Sequence, residues 1–345
     1  MSKRVMAAMS GGVDSSLVAA VLMEQGYEVI GVTMSLGEAS RQAVEDAKIV
    51  AESLGIEHYV ADFETLFKET VIGSFLSEYA AGRTPNPCVI CNEHVKFGEL
   101  IRFMNKLGCD YMATGHYARV IYDNHRGRYA IQKGRDEHKD QSYMLYRLGQ
   151  DILKHLLLPL GNFTKQDTRQ LSREKGLPVA EKPESQDICF IQDNDYKRFI
   201  KENNPGCLKP GEITDTSGRI LGRHDGLPLY TIGQRKGMGI AAAEPLYVAR
   251  LDTEENHVIA GTAAELFSSS FTASSVKWQL LDNPGESFEA DIKVRYGNRM
   301  TAGRVNPLGH NRVRVELDTP VRAITPGQSA VFYIGDLLAG GGFID

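Results

Sequence analysis

The stretch Ala8-Met9-Ser10-Gly11-Gly12-Val13-Asp14-Ser15-Ser16 follows an apolar run, Val5 to Met9, and precedes an apolar-periodic segment, Leu17 to Met23. That order reads as strand, tight loop, helix. Two adjacent glycines let the backbone adopt positive φ and approach a ligand closely. The helix opening near Val13 offers unpaired N–H groups and the positive end of its dipole. The stretch therefore reads as a cradle for a polyphosphate. Ser10, Ser15 and Ser16 add hydroxyl donors, and Asp14 is suited to a metal ion that bridges phosphates. A Walker A loop is longer and ends in Gly-Lys-Ser/Thr, whose lysine reaches the β and γ phosphates. No lysine follows here. The loop thus suits a departing pyrophosphate better than a transferred γ-phosphoryl, and adenylation is the expected chemistry.

Tyr27 to Ser35, His58 to Phe63 and Asp110 to Thr114 read as further strands. Ser40 to Leu54, Leu66 to Tyr79 and Glu93 to Leu107 read as helices between them, with Ser40 as N-cap and Gly55 as stop of the first of these. Strands alternating with helices imply crossovers, and hence an α/β, doubly wound parallel sheet. Ligands of such sheets sit beyond the carboxyl ends of strands, at the switch point. Met34, the loop Arg83 to Asn92 with its Cys88 and Cys91, and Gly115-His116 all follow strands or flank that edge. They are expected to converge on the glycine-serine loop. Farther on, Tyr129 to Gln132 reads as a strand, Leu145 to Leu157 as a helix, and Thr164 to Lys175 as a helix capped by Thr164 and stopped at Gly176. Pro205-Gly206 and Lys209-Pro210-Gly211 mark a boundary beyond which helices nearly vanish. The expected division is a catalytic domain over 1–203, a small β-rich central domain over 204–268 and a C-terminal antiparallel β-barrel over 269–345.

The chain has 345 residues, enough for two or three domains and an ample core. Its net charge of −5 argues against indiscriminate coating of nucleic acid. A local basic track is nevertheless present. Lys293, Arg295, Arg299, Arg304, Arg312 and Arg314 occur with no acidic residue among them. Arg295-Tyr296 sets a guanidinium beside an aromatic ring, which suits phosphate contact and base stacking, although a solvated strand face would look similar. No apolar stretch approaches the ~20 residues that span a bilayer, so no membrane association is expected. The first residues run straight into a strand, which leaves no room for a signal peptide. Five cysteines, an odd number without secreted-scaffold spacing, point to a cytoplasmic setting.

Cys88-x-x-Cys91 admits three readings on its own: buried cysteines, half a zinc site, or a redox pair. Cys189 stands alone, and Cys109 and Cys207 lie in turns where a structural role is favoured. A zinc site would need a second matching pair, which the sequence does not supply.

Several motifs then recur in a common order along nearly the whole chain. They are Ser10 to Ser15, Thr84-Pro85-Asn86-Pro87 with Cys91-Asn92, Ala113-Thr114-Gly115-His116-Tyr117, Lys139-Asp140-Gln141-Ser142-Tyr143, Asp187-Ile188-Cys189-Phe190-Ile191, Tyr230 to Arg235 and Pro320 to Ala330. By them the chain resembles the bacterial-type tRNA-specific 2-thiouridylases, a family of N-type ATP pyrophosphatases. The resemblance implies that ATP with Mg2+ binds at Ala8, Met9, Ser10, Gly11, Gly12, Val13, Asp14, Ser15, Met34 and Gly115. It implies tRNA contacts at His116, Lys139, Asp140, Gln141, Arg295, Tyr296 and Gln328, with the target base held by Asn86, Pro87 and Cys88. Cys189 would carry a persulfide received from a sulfur-donor protein. Cys91 would be the second catalytic cysteine, forming a disulfide with Cys189 as sulfur is released. The wobble uridine must leave its stack for its C2 to be reached. Nothing in the sequence demands more than a monomer.

Two departures from the family stand out. Many relatives carry Asp where this chain has Cys88, and a thiol does not replace a carboxylate as acid or base. Cys88, Cys91 and Cys189 together offer an alternative, ligation of three irons of an iron–sulfur cluster with sulfide on the fourth. The segment Ser35 to Ser40 is also short and reads as a trimmed surface loop. Two rival functions remain at this stage. An ATP-pyrophosphatase amidoligase would need a nitrogen source and no paired cysteines. A nucleotide-gated RNA-binding module would use its cysteines structurally.

Overall fold

A computed structural model of the chain describes residues 2–184 and 188–345. Ser185, Gln186 and Asp187, which open the motif carrying Cys189, lie outside the described residues. The N-terminal part runs β1 (Arg4–Ala8), α1 (Val13–Glu24), β2 (Glu28–Ser35), α2 (Arg41–Leu54), β3 (His58–Asp62), α3 (Glu64–Phe67), α4 (Gly73–Ala80), α5 (Pro87–Ile90), α6 (Leu100–Lys106) and β4 (Tyr111–Ala113). π-helical turns at Lys68–Ile72 and Cys91–Glu99 join α3 to α4 and α5 to α6. A hairpin β5 (Ala118–Asp123) and β6 (Arg128–Lys133) follows, then α7 (Gln150–Leu153), β7 (Leu156–Leu157), α8 (Lys165–Glu174) and α9 (Tyr196–Asn203).

The first sheet has the order β3-β2-β1-β4-β7, every pair parallel. Side chains alternate across it, as the period of two requires. Val5, Ala7 and Met9 pack with α1 and α2, whereas Met6, Ile30 and Val32 pack with Phe97, Leu100 and Met104 of the other layer. Both faces are therefore covered, and the doubly wound expectation holds. Strand order reverses between β1 and β4, and the glycine-serine loop leaves the sheet at that point.

Three local expectations are corrected. Cys88 and Cys91 do not lie on a loop, because helix begins at Pro87 with Asn86 as its N-cap. Proline at the first helical position gives up no hydrogen bond, so the expected stiff loop becomes a helix start. Leu145 to Leu157 is not one helix. A 3₁₀ turn at Ser142–Leu145 and the short α7 lead to β7, which pairs Leu156 with Met112 at the sheet edge. A short apolar run fits either state, and Pro159 bars α geometry at the residue before it. Ser40 precedes α2 without capping it, since its hydroxyl donates to the Gly37 carbonyl at 2.7 Å. Thr164 does cap α8, in a reciprocal box with Asp167.

Beyond α9 come β8 (Gly211–Asp215), β9 (Ile220–His224), β10 (Tyr247–Asp252) and β11 (His257–Gly261), a mixed sheet of order β10-β11-β8-β9. The last strands are β12 (Phe267–Trp278), β13 (Phe288–Lys293), β14 (Thr301–Gly309), β15 (Arg312–Arg322), β16 (Ser329–Ile334) and β17 (Leu337–Ile344). They pair antiparallel in the order β12-β15-β14-β13-β16-β17, and β12 pairs again with β17, closing the barrel. Closure removes the exposed edges that an open sheet would present.

The barrel is locked to the α/β part. Val331, Tyr333 and Leu338 belong to the same core as Met6 and Met112. The fully buried Gln279 donates to the carbonyls of Leu145 and Leu148 at 2.7 and 3.1 Å. Glu93, on the π-helical turn, pairs with Arg147 and accepts from Lys277 of β12 at 2.6 Å. Arg147 donates in turn to the Ser275 carbonyl at 3.0 Å. Burial alone would raise the Glu93 pKa, but Arg147 and Lys277 outweigh it and hold the carboxyl below its ordinary value. Removing Arg147 leaves this carboxylate only the half-exposed Lys277, so Arg147→Ala is expected to destabilise the protein by about 1–3 kcal/mol. Because the Glu93 pKa is depressed on folding, its contribution is present above the unfolded carboxylate value and is lost as pH falls through the folded one. Urea unfolding followed at neutral and acidic pH measures both effects.

Candidate active site

Gly11 has φ +64°, and a Cβ there would stand 2.5 Å from the Ala43 carbonyl oxygen on α2. Glycine is thus required both by conformation and by the close approach of α2. Gly12 is the N-cap of α1 in an extended conformation, with no side chain closing the helix end. The turn lies just past the carboxyl end of β1. Ser15 accepts from the Ser10 amide at 3.0 Å, and the Ser10 and Ser15 hydroxyls are paired at 3.1 Å. The Ser15 and Ser16 hydroxyls are both buried and both donate to the Gly12 carbonyl, at 3.2 and 2.8 Å, and Ser16 is the more completely enclosed. It braces the turn instead of facing a ligand. Ala8 and Met9 end β1, Val13 begins α1, and Met34 stands near the end of β2. Gly115, just past β4, is where the sheet edge touches the loop. A Cβ there would sit 3.1 Å from Asp14 Cβ and from the Ser15 amide.

The lysine missing from the loop arrives from elsewhere in the chain. Lys165, the first residue of α8, bonds both Asp14 oxygens at 2.6 and 2.8 Å. Tyr117 donates its hydroxyl to the same carboxylate at 2.9 Å. Lys182 pairs with Asp46 and donates to the Gly11 carbonyl at 2.9 Å. Neither lysine was marked by sequence reading. A lysine at a helix N-terminus opposes the helix dipole, and that was the available signal for Lys165. Asp14 and the loop hydroxyls form a hard oxygen donor set of the kind Mg2+ takes.

Cys88 is exposed and Cys91 buried, one turn apart on the helix that starts at Pro87. Cys189 is exposed, and its neighbour Phe190 packs on the cluster that contains Cys91, edge-on to Phe67 at 5.8 Å and to Phe75 at 5.4 Å. Each of Cys88 and Cys189 lies within electrostatic reach of Cys91. Burial pushes the Cys91 thiol up to about 11, and partial desolvation by the groups packed around it raises the thiol of the more exposed Cys189. Lys96 opposes both shifts. It lies five residues after Cys91, and the π-helical turn, with its i to i+5 register, brings such residues to one face. Sequence reading missed it because an α-helical period places it elsewhere. Among the described residues, no group of three or more Cys, His, Asp or Glu is gathered to hold a metal ion.

His116 follows Gly115 and pairs with the Thr114 hydroxyl at 2.8 Å. Burial, assisted by Lys96, pushes its pKa down to about 3, so the imidazole is neutral at physiological pH. Asn86 donates to the Met144 sulfur at 3.6 Å. Lys139 reaches Glu184 at 2.7 Å. Asp140 accepts from the Ser142 hydroxyl at 2.7 Å, and Gln141 accepts from the Tyr117 amide at 3.0 Å. Gln328 is buried, and its amide donates to the carbonyls of Thr84 and Pro85 at 2.8 and 3.2 Å. These last three side chains are engaged within the protein. Arg295 donates to Thr325 at 2.7 Å, and the exposed Tyr296 lies near Lys293, Tyr143 and Cys88. The barrel loop that bears them therefore borders the cysteines.

The basic track beyond Tyr296 is broken by strand pairing. β13 sets Glu289 opposite Arg304, β15 sets Glu316 beside Arg314, and Arg312 lies 3.5 Å from Asp345. No helix among the described residues is long and apolar enough to cross a membrane.

Residues 3–193 match the family described as tRNA methyl transferase HUP domain, 197–262 its PRC-barrel domain and 268–344 an aminomethyltransferase beta-barrel domain. The chain is 49% identical to tRNA-specific 2-thiouridylase MnmA of Carboxydothermus hydrogenoformans, covering 99% of this chain and 98% of that protein. It is 48% identical to the protein of the same name from Acetivibrio thermocellus, over 99% of each. Among solved structures, a 4-thiouridine synthetase in complex with RNA and ATP aligns at TM-score 0.36 and 14% identity, over 59% of this chain and 51% of that one.

Exposure and thiol state together predict the order of alkylation. Cys88 reacts first with iodoacetamide at neutral pH, while buried Cys91 is modified increasingly as pH rises toward about 11. Peptide mass mapping across a pH series reads this directly.

Proposed function

This chain belongs to the tRNA-specific 2-thiouridylase (MnmA) family, and from that premise we propose how its own residues carry out ATP-dependent 2-thiolation of a tRNA wobble uridine. The observation that supports the reading most is that Phe190, next to Cys189, packs on the apolar cluster that contains Cys91, which brings two cysteines far apart in sequence to one region.

ATP lies along Ala8 to Ser15 with Met34 and Gly115 at its sides, its pyrophosphate on the open amides of the turn. Asp14 would hold a Mg2+ ion, which would screen phosphate charge. The uridine C2 oxygen attacks the α phosphorus, pyrophosphate leaves, and C2 now bears an AMP leaving group. The terminal sulfur of a Cys189 persulfide attacks C2 and expels AMP. The Cys91 thiolate then attacks the inner sulfur of Cys189. This breaks the S–S bond to the transferred sulfur, leaves 2-thiouridine, and forms the Cys91–Cys189 disulfide. The transferred sulfur gains two electrons and the two cysteines lose them, so a dithiol reductant must reopen the disulfide before a donor protein reloads Cys189. Lys96 favours the thiolate that burial disfavours. Cys88 lines the base pocket with Asn86 and Pro87, without the acid–base role a carboxylate would have.

Neutral His116, Lys139, Arg295 and Tyr296 meet the tRNA directly. Asp140, Gln141 and Gln328 reach it by exchanging the internal hydrogen bonds they make in the free protein. The domains 1–203, 204–268 and 269–345 divide the work into chemistry, linkage and tRNA binding. A single chain in the cytoplasm carries the whole set.

Incubation with ATP, Mg2+, unmodified tRNA and a persulfide donor, followed by nucleoside analysis, tests the reading. 2-Thiouridine should appear with the native protein and be absent from Cys91→Ala and Cys189→Ala. ATP-dependent tRNA binding without product would favour a binding module. Tyr296→Ala should weaken tRNA binding by about 1–3 kcal/mol, the usual worth of one stacked base, with ATP affinity intact. Filter retention at fixed salt measures it.

A further inference from the structure

Four charged side chains from separate segments alternate in sign across the cleft. Asp14 takes Lys165 on both oxygens, at 2.6 and 2.8 Å. Lys165 also lies 2.8 Å from Glu184 Oε1, and Glu184 Oε2 accepts from Lys139 at 2.7 Å. The row holds two carboxylates and two ammonium groups, so it is neutral as it stands. Lys165 is nearly buried, with its side chain 12% exposed, and solvent therefore screens its pairs only weakly. The function proposed above gives the two ends of this row to different ligands, ATP with Mg2+ at Asp14 and tRNA at Lys139.

We propose that Glu184 is a positioning residue that couples tRNA docking to nucleotide binding, by drawing Lys165 away from Asp14 when a tRNA phosphate takes Lys139. The inference rests on the proposed function for its two end sites. A phosphate on Lys139 removes one of the two cations that Glu184 holds. The carboxylate is then left with Lys165 alone, and attraction between that pair strengthens as the competing cation leaves. Lys165 shifts toward Glu184, and Asp14 loses its counter-ion. A free carboxylate without an ammonium beside it can accept Mg2+, which the paired carboxylate resists. No bond is made or broken, and the gain is reciprocal, since nucleotide on Asp14 must favour tRNA by the same factor. Lys182, two residues before Glu184, donates to the Gly11 carbonyl and ties this stretch to the nucleotide loop.

The test is calorimetric titration of the full chain with Mg2+ and an α,β-methylene ATP analogue, which cannot release pyrophosphate, with and without saturating unmodified tRNA. The native protein should bind the analogue about tenfold more tightly with tRNA present. Glu184→Gln should bind each ligand alone and lose that factor, and Glu184→Asp should recover part of it. If Glu184→Gln melts before it can be measured, Lys139→Gln at saturating tRNA should lose the factor in the same way. An undiminished factor in these variants overturns the relay and leaves the enzyme assignment standing, as does a native protein that binds both ligands independently. A native protein that binds no analogue under either condition overturns the nucleotide assignment, and the relay falls with it.

Discussion

One buried carboxylate fixes the geometry of everything else. Glu93 lies on the helix that also carries Cys88, Cys91 and Lys96, and its charge is balanced by Arg147 from the α/β part and Lys277 from the barrel. An unpaired carboxylate in that position would cost several kcal/mol, so the helix can settle only where both cations meet it. The barrel is thereby part of the active site's foundation. Its contribution is also covalently remote, because the chain passes through the whole central sheet between Arg147 and Lys277. Tyr143 and Tyr146, both fully buried, extend the same junction through hydrogen bonds to Ser329.

The chemistry of the cleft is set by opposed pressures on charge. Burial keeps Cys91 protonated, and Lys96 works against it. A thiol held in reserve is less open to adventitious oxidation than a standing thiolate. His116 is subject to burial and Lys96 acting in the same direction, which leaves it uncharged. Glu184 shows the opposite balance. Burial would raise it, yet hydrogen bonds from Lys139 and Lys165 hold it down at about 2, so it stays ionised between its two cations. Glu184 is thus kept charged by its lysines, while Cys91 is kept neutral by packing.

Several features that matter here had no signature in the sequence. The hairpin of β5 and β6 joins the barrel by pairing Gln132 with Leu337, an alliance between segments that no local pattern announces. Lys165 and Lys182 supply the loop with cations that its own motif lacks. The run from Arg295 to Arg314 reads as one basic track because Glu289 and Glu316 come opposite Arg304, and Asp345 beside Arg312, only after strands pair. The stretch Leu145 to Leu157 has the apolar content of a helix, and the place open at the sheet edge made part of it a strand.

The sequence by itself determined the parallel sheet, the phosphate turn at its switch point and the family, because those rest on local periodicity, on a glycine whose φ no other residue adopts easily, and on motifs short enough to be read whole. Only the tertiary structure decided which groups share a cleft: Cys91 with Cys189 and Lys96, Asp14 with Lys165, Glu93 with the barrel. Those pairings join residues whose separation along the chain carries no energy. They are fixed by buried charge and close packing, which act through space and are decided only once every layer is in place.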